Sequence, residues 1–107
     1  MYSVQIVQLV GPVTMQNVAR HEAELLSHAG PQVHVILDLT LLELLNTLAL
    51  GLMLELRKRL LEQGGKLSIV CPDARLRGVL RQTHLDRVLT ITQTLEEASS
   101  WSPGPPA

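Results

Sequence analysis

The residue with the clearest chemical opportunity is Thr47, a hydroxyl that follows Asn46 at the head of a leucine-rich segment, NTLALGLMLEL. A phosphate there would add about −1.5 to −2 charges, and a helix N-terminus tolerates such charge because its unpaired amides and its dipole favour anions. The plainer role for Thr47 is to cap the helix. Cys71 is the single cysteine, so no intramolecular disulfide can form. It stands between an apolar run and Pro72 with no His or Lys close in sequence to lower its pKa, which predicts an inert, buried thiol. His21, His28, His34 and His84 form no H-x-x-x-H pair. Glu24 and His28 lie four apart on one helix, but surface or half-buried histidines without a metal are expected. Asp38 ends a hydrophobic strand, and aspartyl phosphorylation there would need an acidic pair after the first strand to hold Mg²⁺. The turn at that place is Gly11-Pro12-Val13-Thr14, so Asp38 is expected to hydrogen-bond its own loop. No dinucleotide fingerprint, Walker motif or nucleophile elbow is present. The expectation is a binding protein rather than an enzyme, with no cofactor and no metal.

The leucines around Thr47 supply the surface that a phosphate would switch. Leu48, Leu50, Leu52, Met53, Leu54 and Leu56 make the helix apolar on more than one face, whereas a helix lying on a sheet has one face to bury. Asn46, Thr47, Leu48, Leu50, Leu52 and Met53 are therefore the expected partner-binding residues, with exposed positions among them that meet a protein partner or a second copy of the chain. The competing account is that residues 41–45, themselves leucine-rich, cover the excess. The apolar run from 44 to 54 is too short to cross a membrane, which takes about 20 residues.

These residues must be positioned by a scaffold, and the 107 residues with 46% hydrophobic content suffice for one domain with its own core. Phe is absent and the only aromatics, Tyr2 and Trp101, lie near the termini. The core must then be built from Leu, Val, Ile and Ala, and stacking platforms for nucleic acid are missing. The formal net charge of −1 also argues against a polyanion partner. The Arg57-Lys58-Arg59 run, flanked by Glu55 and Glu62, reads as the solvated face of a helix. Residues 2–10 have strand composition and end at Gly11-Pro12, and a helix follows over residues 14–28 until Gly30-Pro31. Residues 33–39 suit a strand buried on both faces. A helix from Asn46 or Thr47 to about Gln63 stops at Gly64-Gly65. Residues 66–71 form a strand, a helix starts at Pro72-Asp73, and 88–91 form a last short strand. Thr94-Leu95-Glu96-Glu97 has capping-box spacing for a final helix. Residues 99–107 form a Ser/Pro/Gly-rich stretch expected to be a disordered tail, leaving 1–98 as the domain. Alternating strands and helices predict an α/β fold with a mainly parallel sheet.

Taken in order, residues 35–98 resemble the STAS family, shared by anti-sigma-factor antagonists and the cytoplasmic parts of sulphate transporters. VILDL resembles the central strand, NTLALG stands where the family often shows Asp-Ser-Ser-Gly-Leu-Gly, and QGGKLSIVCP resembles the Gly-Gly turn leading into the next strand. LRGVLRQTHLDRVLTITQTLEEA resembles the last helices and strand. The resemblance implies a STAS-like single domain that binds an anti-sigma factor or a serine/threonine protein kinase, with Thr47 as the phosphoacceptor and transcription regulation in a bacterial cytoplasm as the setting. It equally accommodates a scaffold subunit of a signalling assembly or an accessory subunit of a membrane transporter, and a homo-oligomer. Three family positions differ here: Asn46 replaces Asp, Leu48 the second Ser and Ala49 the first Gly, while Leu50 and Gly51 are retained. The family's usual extra strand ahead of residues 2–10 has no counterpart. The N-terminus has no basic region of the kind a signal peptide carries, which fits a cytoplasmic protein.

Overall fold

Hydrophobic residues in this chain recur at a period of two in short runs and near 3.6 in longer ones, and the computed structural model, which describes residues 2–100, turns each run into one element. In chain order these are β1 (Ser3–Gln8), α1 (Val18–Leu26), β2 (Val33–Asp38), α2 (Thr47–Glu62), β3 (Lys66–Val70), α3 (Ala74–Gln82), a 3₁₀ turn (Leu85–Arg87), β4 (Thr90–Thr92) and α4 (Leu95–Ser99). The four strands are all parallel and lie in sequence order, β1-β2-β3-β4. When each crossover in such an order has the same hand, the connecting helices fall on one face of the sheet. Leu25 of α1, Met53 and Leu56 of α2 and Leu80 of α3 accordingly join Val35, Leu37 and Ile69 in one core. α4 follows the last strand and crosses to no other, so it is free to take the opposite face, where Ala98 packs on Ile36 and Val70.

β2 is the strand the fold is built around, with Val33 through Leu37 all buried because both faces are covered. His34 is among them. The expectation of a surface or half-buried histidine fails here, since its position on the strand places it beneath α4's side of the sheet. Its Nε2 lies 2.8 Å from Ser68 Oγ on β3. α2 ends where Gly64 takes a left-handed conformation (φ 77°) and Gly65 passes so close to β2 that a Cβ would meet Val33 O at 2.2 Å.

Several boundaries shift for local reasons. α1 starts later than residue 14 because Asn17 Oδ1 accepts from Thr14 N–H at 2.8 Å and its Nδ2 donates to Pro12 O at 3.0 Å, closing a turn. The last strand begins at Thr90 rather than 88, as Val88 and Leu89 complete the 3₁₀ turn through bonds to Leu85 O. Of the tail expected over residues 99–107, Ser99 is the last residue of α4, and residues 101–107 lie outside the described residues. No described helix is long and apolar enough to cross a membrane.

Candidate functional site

The head of α2 is organised by Asn46. Its Oδ1 accepts from the Ala49 amide at 2.9 Å, a helix N-cap, and its Nδ2 donates to Val13 O at 2.8 Å in the loop after β1. The side chain therefore caps a helix and staples two loops at once. An aspartate in its place would keep the cap but set a carboxylate oxygen against the Val13 carbonyl, which gives Asn at this position a structural reason.

Because Asn46 is the cap, Thr47 is not needed as one. It is exposed at the first position of α2, and its hydroxyl makes no hydrogen bond among the described residues. Thr47, Gly51 and Glu55 follow at four-residue spacing and form one wall of a shallow groove between α2 and α1. Leu48 and Leu52 lie at its base, and Val18 and Glu22 of α1 line the other side. Gly51 is exposed, and a Cβ there would touch nothing within 4 Å. A mid-helix glycine costs about 1 kcal/mol relative to alanine. Nothing in the chain's own packing requires it.

The predicted partner-binding residues divide. Thr47 is exposed, Asn46, Leu48 and Leu50 are half-buried, and Leu52 and Met53 are core residues. Correcting the expectation for those last two, α2 buries a single stripe, Ala49, Leu52, Met53, Leu56 and Leu60, against β2 and β3, so the surplus of leucine is largely internal. The loop before α2 behaves likewise: Leu42 and Leu45 are buried, while Leu41 and Leu44 are 51% and 58% exposed. With Met15, which projects from the loop stapled by Asn46, they place apolar surface at the end of the sheet where Thr47 stands. Sequence reading missed Glu22 and Val18 as neighbours of Thr47, since they come from a different element. The four-residue spacing of Thr47, Gly51 and Glu55 was a readable sign of a shared face.

The other chemical candidates are occupied by the fold. Asp38 Oδ1 accepts from Thr40 N–H at 2.9 Å and from Thr40 Oγ1 at 2.5 Å, holding its loop. Cys71 is buried, and burial pushes its thiol above the usual range. Among the described residues no three His, Cys, Asp or Glu side chains gather as a metal site.

The model of the STAS domain family matches residues 2–98. The chain belongs to the STAS domain family. No curated protein matches it in sequence. Among solved structures it is similar to an anti-sigma-factor antagonist (STAS) domain protein from Planctomyces limnophilus, with TM-score 0.78, 23% identity, and coverage of 89% of this chain and 86% of that one. It is also similar to an anti-sigma factor antagonist from Mycobacterium paratuberculosis, with TM-score 0.72, 22% identity, and coverage of 92% and 84%. A third is the Bacillus cell fate determinant SpoIIAA in its phosphorylated form, with TM-score 0.66, 20% identity, and coverage of 92% and 90%. Anti-sigma factor antagonists of the STAS family are regulatory binding proteins, not enzymes.

Proposed function

We propose that this STAS domain is an anti-sigma-factor antagonist that binds an anti-sigma factor or serine/threonine kinase at the head of α2, and that phosphorylation of Thr47 switches that binding off. The observation that carries the reading is the unengaged, exposed hydroxyl of Thr47 beside a cap made by its neighbour. A phosphate there would gain from the helix terminus but would stand on a groove that already holds Glu22 and Glu55. Two effects then act together: an incoming apolar surface has a dianion to desolvate, and an acidic one is repelled. Leu41, Leu44 and Met15 supply the exposed apolar part of the contact, and the bare Gly51 allows close backbone approach. Leu48 and Leu50 contribute at its margin. A partner that uses ATP to phosphorylate Thr47 places the protein in the cytoplasm.

The test incubates the purified domain with the anti-sigma factor or kinase encoded beside it and ATP, followed by peptide mass spectrometry. Phosphate on Thr47, lost in Thr47→Ala, is the expected result. Label on another residue, or none while the kinase is active on a control substrate, removes Thr47 from this role. Gly51→Ala is expected to raise thermal stability while weakening the partner, which separates helix propensity from contact.

A further inference from the structure

We propose that the segment following α4 closes on the sheet as a strap, with the Trp101 indole seated over His34. β2 presents His34, Ile36 and Asp38 to one face, each about 6.6 Å from the next. α4 runs along that face toward the start of the strand. Its first residue, Leu95, lines a groove with Gln8 and Asp38, and Ala98, three residues on, packs on Ile36 and Val70. Ser100 keeps helical backbone angles (φ −72°, ψ −13°), and its N–H donates to Glu97 O at 3.3 Å. The chain therefore leaves Ser100 on a helical course. Position 101, three residues beyond Ala98 and about 4.5 Å further along, comes to the sheet-facing side over the next β2 residue of that face, His34. Ser102 precedes Pro103 and is turned away from helix, so Trp101 is the last side chain this course sets on the sheet.

The place it reaches is one that something must cover. His34 has no exposed surface, although beside it in the sheet Val4 is 57% exposed and Lys66 is half-buried. An imidazole so enclosed is closed from above as well as from its flanks, and Ala98, the buried residue of α4, is occupied one step away on Ile36 and Val70. Because the ring is enclosed within a single chain, its cover belongs to that chain rather than to a second copy or a separate partner. An indole suits both neighbours: it packs flat on a neutral imidazole, and its π-face attracts the Lys66 ammonium. Burial lowers the pKa of His34, with the Lys66 charge second, and lowers that of Lys66 as well, the effect expected of a lid that keeps water from this corner. The domain then runs to residue 101, and the C-terminal segment belongs to the face opposite α2.

The experiment is NMR of the full 107-residue chain, read at its single tryptophan. Cross-relaxation from the Trp101 ring protons to those of His34 and to the Lys66 methylenes is expected, and it should persist on dilution. An indole with the shifts and mobility of an unfolded chain overturns the proposal. So do contacts that vanish on dilution, which would assign the cover to another copy. This reading needs no variant and decides the matter even if Trp101→Ala does not fold. Where circular dichroism shows Trp101→Ala to be folded, diethyl pyrocarbonate followed by peptide mass spectrometry adds a chemical reading. His34 should be acylated roughly tenfold or more faster than in the wild type, with the rate at His21 unchanged, while Trp101→Leu, which keeps an apolar cover, stays close to the wild type. A folded Trp101→Ala whose His34 reacts as slowly as that of the wild type also overturns it.

Discussion

Two junctions of this fold are built to the same plan and finished differently. At both, a parallel strand ends and a helix starts with an Asx cap: Asn46 accepting from Ala49 N–H at 2.9 Å before α2, and Asp73 accepting from Arg75 N–H at 2.8 Å before α3. The second junction spends its charged groups on itself. Arg75 grips the Asp73 carboxylate, with Nη2 2.9 Å from Oδ2, and Arg77 Nη1 donates to Cys71 O at 2.9 Å and Pro72 O at 2.6 Å. The Arg75 hydrogen bonds hold the Asp73 acid down at about 2. The first junction has a longer loop, keeps two leucines in water and leaves a hydroxyl unengaged at the first helical position. Polar satisfaction closes one end of a helix to partners, and its absence leaves the other available, although a parallel strand and an Asx cap precede the helix in both.

The largest effect should come from asking which side of α2 is internal. Met53→Asp puts an unpaired carboxylate in the core and should cost more than about 3 kcal/mol or prevent folding, whereas Leu54→Asp, at a position 39% exposed, should cost under about 1 kcal/mol. Urea denaturation of the two variants checks this, and similar losses would break the account of α2 as a one-stripe helix. Next in size, Asn46→Ala removes a cap and the staple to Val13, for about 2 kcal/mol, while Asp73→Ala removes a cap alone and should cost less. Equal losses would mean the staple contributes nothing.

The junctions should then separate in binding. Thr47→Glu is expected to weaken the partner tenfold or more, about 1.4 kcal/mol by calorimetric titration. Thr47→Ala and Arg75→Glu should leave affinity unchanged, and loss of binding in Arg75→Glu would move the contact to α3. The smallest signal is a pH dependence. Burial, and secondarily the Lys66 charge, lower the His34 pKa below the usual 6.5. The unfolded chain binds that proton more readily than the folded one, so this stabilisation is complete above about pH 6.5 and declines as pH falls through it. Asp73 is depressed instead as an acid, so its contribution is present above the usual 3.8 and is lost as pH falls toward about 2. Denaturation midpoints across that range should show a first decline absent in His34→Gln and a later one absent in Asp73→Asn.

The order of elements, the Gly64-Gly65 stop, the cap at Thr94 and the loop role of Asp38 were all legible in the sequence. Each depends on residues within a few positions of one another, and short-range sterics and hydrogen bonds act alike in any tertiary setting. Thr47 could be placed at a helix start by the same rule, but whether it or Asn46 made the cap could not. That was decided by Val13, 33 residues away, which holds Asn46 in the capping position. Burial was likewise out of reach. His34 and Ile36 alternate with Val33 and Val35 along one strand, and both are buried on the far face of the sheet, where Ala98 of α4 packs on Ile36. Leu52 and Met53 differ from Leu54 in nothing but the direction in which β2 and β3 lie, just as Glu22 joins the Thr47 groove only because α1 packs beside α2. Local conformation follows from the chain's near neighbours, whereas burial, and with it the choice of which side chains remain for a partner, is set by contacts that exist only once distant segments have met.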